Sequence, residues 1–243
     1  MTKDFINYIA REKRYSKHTI LSYENDLKQF QEYLATQYQI SDLKFADHNL
    51  VRSWMVYLLQ NDNSVNTINR KISCLKSFYK YLLREGIINT NPMLKVISPK
   101  SGTKVPEFVK EKDMENLLQI TDFGNEFEGT RNKLIIETFY STGVRISELI
   151  NIKISDINLG EKTIRILGKR NKERLIPMTA YLITAIEKYL QARNILCSEI
   201  TECESYLFIT KQGKPIYSKL VYRIINKYLS YVSSNTKKSP HTL

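Results

Sequence analysis

Residues Phe139–Ile152, "FYSTGVRISELINI", place a helix stop directly before a pair of opposite charges. Gly143 predicts the end of the preceding helix, because glycine readily adopts the left-handed conformation found at helix C-termini. Arg145 then begins a second short helix, and Glu148 lies three residues further along the same helical face. An arginine held by a carboxylate presents a planar fork that pairs with two phosphate oxygens. Because Arg-x-x-Glu pairs are also common on protein surfaces, this stretch alone does not decide the function.

The sequence on either side of this stretch predicts a mixed domain of helices and a few strands. The segments "EKTIRIL" (161–167) and "ERLIPM" (173–178) predict two strands, and "GKRNK" (168–172) predicts the turn that joins them into a hairpin. A second small hairpin is predicted from "SYLFIT" (205–210) and "KPIY" (214–217). Helical spacing of apolar residues predicts helices at 112–121, 128–143, 145–152, 179–194 and 218–234.

Residues 1–97 predict a purely helical domain. Apolar residues recur at intervals of three and four in four successive segments, the second of which begins at Ser16, a residue suited to capping a helix. Gly86 predicts the end of the fourth segment. Residues 98–106 contain two prolines, a glycine and two lysines, which predicts a semi-extended linker. The expected fold is therefore mainly α with a small β component, in two domains that cover 1–97 and 107–243.

The chain carries an excess of positive charge, with 37 Lys and Arg against 25 Asp and Glu and a formal net charge of +12. Residues 63–84 and the residues after Glu204 contain no acid, and the predicted hairpin holds five bases within ten residues. Basic stretches also serve as solvated faces or attach proteins to anionic membranes, but here they are spread over two tethered domains. We therefore expect a nucleic acid partner, held as a duplex between the two domains.

Membrane attachment, secretion and metal binding receive little support from the sequence. The chain has no apolar run long enough to span a bilayer, and its first residues lack the apolar core of a signal peptide. Its three cysteines, Cys74, Cys197 and Cys203, have no histidine or second cysteine pair nearby that would complete a zinc site. We therefore expect reduced structural thiols in a cytoplasmic protein with no membrane partner.

Three motifs in chain order carry a resemblance to a known family. "YSTGVRISEL" (140–149), "GKRNKERLIP" (168–177) and "SPHTL" (239–243) resemble the successive motifs of the tyrosine recombinases, the phage integrase family, in their Xer-like form. "SKHTILSYENDLKQF" (16–30) and "NRKISCLKSFYKYLLREGIINTNP" (69–92) resemble the helical, SAM-like core-binding domain of that family. The resemblance extends over nearly the whole chain. It implies a four-helix core-binding domain followed by an α+β catalytic domain.

The resemblance implies site-specific recombination of double-stranded DNA without a metal or a cofactor. In this family a tyrosine attacks a DNA phosphate to form a 3′-phosphotyrosyl link, and the released 5′-hydroxyl later attacks the link on the partner strand. The transition state carries extra negative charge on the phosphate oxygens, which positioned arginines stabilise. A full-length member is expected to act as a tetramer on two DNA sites.

Four residues match catalytic positions of the family. Arg145 matches its first catalytic arginine, and Glu148 matches the acidic residue that positions this arginine. Lys169, at the predicted hairpin tip, matches the lysine that protonates the leaving 5′-oxygen. His241 matches the histidine that opens the His-x-x-Arg box and assists proton transfer.

Further residues are expected to contact DNA. They lie at the start of the second predicted helix, on the acid-free fourth helix and in the basic hairpin, where side chains reach phosphate oxygens. These residues are Lys17, Thr19, Tyr23, Arg70, Lys71, Ser73, Lys76, Lys80, Arg170, Lys172 and Arg174.

The sequence departs from the family pattern at its last residues. The box arginine would follow Leu243 and the nucleophilic tyrosine would lie further on, so we expect a truncated catalytic domain. Tyr222, Tyr228 and Tyr231 precede His241 and are expected to pack in the core or to stack on DNA. We expect the chain to be monomeric in solution and to bind DNA without cleaving it. The alternative is a naturally short, non-catalytic DNA-binding accessory protein.

Overall fold

The chain forms two compact units, Met1–Lys104 and Val105–Leu243. The computed structural model describes residues 1–100, 102, 108–120, 122–124, 126–168, 172–200, 203–232 and 239. The expected linker, residues 98–106, lies mostly outside the described residues.

The first unit is helical, which confirms the sequence prediction. Its helices are α1 (Thr2–Arg11), α2 (Lys17–Tyr38), α3 (His48–Gln60) and α4 (Val65–Arg84). Three of them begin at a capping side chain: Ser16 accepts a hydrogen bond from the Thr19 amide, Asp47 from the Leu50 amide, and Ser64 from the Thr67 amide. Each cap satisfies an amide that has no partner within the helix, which stabilises the helix by about 1 kcal/mol.

Aromatic side chains fill the core of the first unit. Phe5, Phe30, Trp54 and Phe78 are all fully buried. The Phe30 and Trp54 rings lie 4.7 Å apart, and Phe5 meets Phe78 edge to face at 5.3 Å. Burial of such large rings supplies much of the free energy that holds the four helices together.

The second unit packs helices around a small antiparallel sheet. Its helices are α5 (Glu111–Ile120), α6 (Phe127–Thr142), α7 (Ile146–Leu149), α8 (Ala180–Glu199) and α9 (Ser218–Val232). Its strands are β1 (Ile157–Asn158), β2 (Thr163–Leu167) and β3 (Glu173–Pro177), in the order β1-β2-β3. The predicted hairpin is confirmed, because β2 and β3 pair in antiparallel register with Ile166 opposite Arg174. Helix α7 is shorter than predicted. Strand β1 was not predicted, because a strand of two residues is too short to show an alternation of apolar and polar residues.

The second predicted hairpin forms as a short antiparallel pairing without regular strands. Ile209 bridges Pro215, the Thr210 amide donates to the Lys214 carbonyl at 2.7 Å, and the Ile216 amide donates to the Phe208 carbonyl at 3.2 Å. The same segment makes a further bridge that the sequence analysis did not predict, Lys153 with Tyr206. The Leu207 amide donates to the Ile152 carbonyl at 2.7 Å, so part of the segment pairs with the chain that follows α7. Tertiary pairing of this kind leaves no signal in local alternation.

The expectation of reduced thiols is wrong for two of the three cysteines. Cys197, near the end of α8, and Cys203 form a disulfide, with their Cα atoms 5.6 Å apart. This separation lies within the range that a disulfide spans. Cys74 keeps a free thiol in the first core, where burial raises its pKa.

None of the helices in the described part of the chain combines the length and the apolarity that a bilayer crossing requires.

Helix α6 is buried on most of its surface within the second core, through residues that include Leu134, Ile135, Ile136 and Phe139. This burial fixes the position of Gly143 and therefore of Arg145, two residues later.

We predict that Gly143→Ala lowers the free energy of unfolding by about 1 kcal/mol, because Gly143 has a φ of +59° and a side chain is strained in this conformation. No atom lies within 4 Å of the position that a Cβ would take, so the loss is a backbone effect. Urea unfolding should show this loss and little change for Gly160→Ala, whose φ is not left-handed. Equal losses in the two variants would contradict the assignment.

Candidate active site and nucleic-acid interface

One buried carboxylate, that of Glu148, organises the site predicted around Arg145. It accepts hydrogen bonds from the Arg145 backbone amide at 3.0 Å and from Arg145 Nη1 at 3.1 Å. It also accepts two from Arg174, from Nη1 at 3.1 Å and from Nη2 at 2.7 Å. The structure therefore brings together two arginines that are 29 positions apart in the sequence, and it confirms the predicted contact between Glu148 and Arg145.

Local structure fixes both arginines around this carboxylate. Arg145 is the residue before α7, and Glu148, at the third position of the helix, reaches back to its amide. Arg174 projects from β3, which the hairpin holds beside α7. At Gly168, a Cβ would lie 3.2 Å from Arg174 Nη1 and 3.5 Å from Glu148 Oε1, so glycine leaves room for the pair.

The electrostatics keep the site ready for an anion. The hydrogen bonds from Arg174 outweigh the effect of burial and lower the pKa of Glu148 to about 2. The carboxylate is therefore ionised at neutral pH and neutralises one of the two cations. The side chains of Arg145 and Arg174 remain 69% and 40% exposed, so the site offers a net positive charge to solvent.

Several predicted residues of this region lie outside the described residues: Lys169, Arg170 and His241. Lys172, at the base of the hairpin tip, is exposed, and its carbonyl accepts a hydrogen bond from the Gly168 amide at 2.8 Å. The neighbouring base Arg165 pairs with Asp156 at 2.7 Å.

The exposed face of α4 carries four of the residues predicted to contact DNA. Arg70, Ser73, Lys76 and Lys80 are all exposed, and their spacing places them on one side of the helix. The Ser73 hydroxyl donates to the Asn69 carbonyl at 2.9 Å and keeps its oxygen as an acceptor. This side of α4 presents a basic surface that suits contact with phosphates.

The predicted residues of α2 are less uniformly exposed. Lys17 is exposed at the start of the helix, and the Thr19 hydroxyl bonds the Ser16 hydroxyl at 2.8 Å. Tyr23 is half-buried with its ring 6.0 Å from that of Tyr15, and burial raises its pKa.

Lys71, which was predicted to contact DNA, does not lie on the exposed face of α4. Its side chain is only 4% exposed, and its Nζ donates to the Asp26 carboxylate at 3.1 Å and to the Gln29 side chain. The ammonium also lies 5.6 Å from the centre of the Trp54 ring. The sequence of α4 did not predict this ion pair, because α4 contains no acid and the counter-charge comes from Asp26 on α2.

Arg70 shares the same carboxylate and stays accessible. Its guanidinium donates to both oxygens of Asp26 and to the Ser22 hydroxyl, and 44% of its side chain is exposed. Asp26 therefore binds one buried and one exposed cation, whereas Glu148 in the second unit binds two exposed ones.

Helix α9 carries a basic stripe that the sequence analysis did not assign as a site. Lys219, Arg223 and Lys227 recur every four residues and are all exposed. Two features of the sequence could have predicted this stripe: the absence of acidic residues after Glu204 and the four-residue spacing of the bases. Tyr222 and Tyr231 are exposed on the same helix, whereas Tyr228 is buried with its ring 4.4 Å from that of Phe123.

Comparison with known families supports this arrangement of domains and motifs. Residues 107–243 match the phage integrase family, and residues 2–86 match the phage integrase N-terminal SAM-like domain. The chain belongs to the phage integrase family. This membership confirms the resemblance to tyrosine recombinases inferred from the motifs.

Relatives of this phage integrase family member cover nearly its whole length. The tyrosine recombinase XerC of Anoxybacillus flavithermus is 37% identical over 239 residues, which are 98% of this chain and 79% of the relative. XerC of Listeria innocua is 36% identical over 245 residues, with 100% and 81% covered. The crystal structure of the XerH recombinase bound to palindromic difH substrate shares the fold, with a TM-score of 0.76, 19% identity, and 100% and 71% of the chains covered.

We predict that Glu148→Gln makes stability less sensitive to acid. Because the pKa of Glu148 is lowered in the folded state, its stabilising effect is complete above its ordinary pKa of 4.5 and disappears as the pH falls towards about 2. As the pH falls from neutral to about 2, the free energy of unfolding of the wild type should decrease by on the order of 2 kcal/mol more than that of the variant. Urea unfolding at several pH values measures the difference. The exposed Glu187→Gln is the control, and parallel curves for wild type and Glu148→Gln would contradict the prediction.

We predict opposite effects for two changes in the first unit. Asp26→Asn leaves the buried Lys71 without a counter-charge and should lower the free energy of unfolding by about 3 kcal/mol. Lys71→Met keeps the Asp26–Arg70 pair and should be neutral or stabilising, with unchanged affinity for DNA. Thermal unfolding and a binding titration measure both variants. A large loss of DNA affinity in Lys71→Met would restore Lys71 as a contact residue.

Proposed function

We propose that this chain is a site-specific DNA recombinase whose paired arginines hold the phosphate at which strands are cut and rejoined through a 3′-phosphotyrosyl intermediate. The observation that supports this most directly is the Glu148 carboxylate, which fixes Arg145 and Arg174 side by side. The whole-length relatives are named tyrosine recombinases, which agrees with this assignment.

The arginines would stabilise the transition state through charge and position. Attack on a DNA phosphate forms a five-coordinate centre with extra negative charge on its non-bridging oxygens. Within the described part of the chain, Arg145 donates to a side chain only through Nη1, so its other donors remain for these oxygens. Because the guanidinium groups are already held by Glu148, little reorganisation is needed when charge develops.

Two further residues complete the proposed chemistry. Lys169 would protonate the leaving 5′-oxygen, and His241 would assist proton transfer at the nucleophile. Their support is the order of the family motifs in the sequence rather than geometry.

The remaining basic surfaces would hold the duplex. The exposed face of α4 and the stripe on α9 place bases where they can contact phosphates without reading sequence. We propose duplex DNA as the partner and the cytoplasm as the location, with a recombinase tetramer on two DNA sites as the working assembly.

We predict that Lys219→Ala, Arg223→Ala and Lys227→Ala together reduce the salt dependence of DNA binding. Each phosphate contact releases counterions, so loss of three contacts should make the slope of log affinity against log salt shallower by about 2.7. Fluorescence anisotropy across a salt series measures the slope. Lys28→Ala, on the exposed surface of α2, is the control, and an unchanged slope in the triple variant would remove α9 from the interface.

We predict that the chain prefers a nicked duplex with a 3′-phosphate at the nick over the same duplex with a 3′-hydroxyl. The 3′-phosphate resembles the group that the paired arginines hold, and a preference of about tenfold corresponds to about 1.4 kcal/mol. Arg145→Ala and Arg174→Ala should each abolish the preference, whereas Lys80→Ala should lower affinity for both duplexes alike. Equal binding of the two duplexes by the wild type would contradict the proposed function.

A further inference from the structure

Helices α5, α6 and α8 surround a cavity of about 870 Å³ in the second unit. Its apolar lining includes Leu118, Phe123 and Ala185. A volume of this size matches sites that bury most of a small organic molecule, which are usually apolar with a few polar groups that orient the ligand.

Glu137 is the buried carboxylate among the described residues that line this cavity. It is 6% exposed and lines the cavity, and burial and the charge of Lys133, with no hydrogen bond among the described residues, determine its ionisation. Burial raises the pKa of Glu137, and the charge of Lys133, one turn earlier on α6, opposes this rise. A buried carboxylate without a partner costs free energy, so a donor that enters the cavity would relieve this cost.

The wall beside Glu137 is held in place by close packing. At Gly129, a Cβ would lie 2.1 Å from the Phe123 carbonyl oxygen, so only glycine lets the 122–124 loop rest directly on α6. The Asp122 carboxylate accepts a hydrogen bond from the Gly124 amide at 2.7 Å, and the Phe123 ring stacks on Tyr228. The cavity therefore has a defined apolar wall.

The charges around the cavity favour a cation. Glu111, Glu115 and Glu137 line it, against Lys133 and Lys188, although the chain as a whole is strongly basic. An anion would meet three carboxylates, and an uncharged apolar molecule would leave Glu137 unpaired. A cation attached to an apolar stem satisfies both the carboxylate and the apolar wall.

We propose that this cavity binds a small organic cation, with a guanidinium or alkylammonium group on Glu137 and an apolar stem against Leu118 and Phe123. The site belongs to the second unit alone and is independent of the recombinase function proposed above.

The probe is n-butylguanidinium, with n-butylurea as an uncharged control of nearly the same shape. Calorimetry should show saturable one-site binding of the guanidinium, and amide spectra should change at Leu118, Phe123 and their neighbours. The urea should bind at least about tenfold more weakly, because it lacks the charge. Equal binding of the two compounds would overturn the proposal, as would spectral changes scattered over the acidic surface.

Two glutamate variants separate the buried carboxylate from the exposed ones. Glu137→Gln keeps the size of the side chain and should weaken n-butylguanidinium binding at least about tenfold, while its melting temperature stays equal or rises. Glu115→Gln, at an exposed position of the lining, should weaken binding less than threefold. Undiminished binding by Glu137→Gln would overturn the proposal. Absence of guanidinium binding by the wild type would likewise overturn it.

Discussion

The hydrogen bonds around the Glu148 carboxylate are the constraint on which the rest of the second unit's site depends. They tie the start of α7, which carries Arg145, to strand β3, which carries Arg174. Because the carboxylate is buried and ionised, it holds both guanidinium groups at a fixed distance from each other while leaving them a net positive charge. The same constraint explains the glycine at 168, where a side chain would press on the pair.

The first unit uses the same physical device at another place. Asp26 binds the buried Lys71 and the exposed Arg70, so one carboxylate again offsets two cations and leaves an excess of positive charge at the surface. Removal of the Asp26 carboxylate is costly because it leaves the buried Lys71 without a counter-charge. In both units the basic surface therefore depends on a buried carboxylate, which a count of surface charges does not include.

Sequence reasoning succeeded where the structure follows local rules. Helical spacing and capping residues such as Ser16 predicted the helices, and alternation around a glycine-containing turn predicted the β2–β3 hairpin. It did not predict contacts between residues that are distant in the sequence: Tyr206 bridges Lys153, and Arg174 joins Arg145 at Glu148 only after the hairpin folds. Lys71 could have been predicted, since helical periodicity places it on the apolar side of α4 with Ile72 and Leu75, but its basic neighbours obscured this.

The direct test of this account is the titration of the Glu148 carboxyl group, followed by NMR of the protein labelled at glutamate side-chain carbons. If Glu148 holds Arg145 and Arg174 as described, its pKa is about 2 in the wild type and rises towards its ordinary value in Arg174→Ala. A wild-type pKa at the ordinary value of 4.5, unchanged by the loss of Arg174, would contradict the central claim that one carboxylate organises the site.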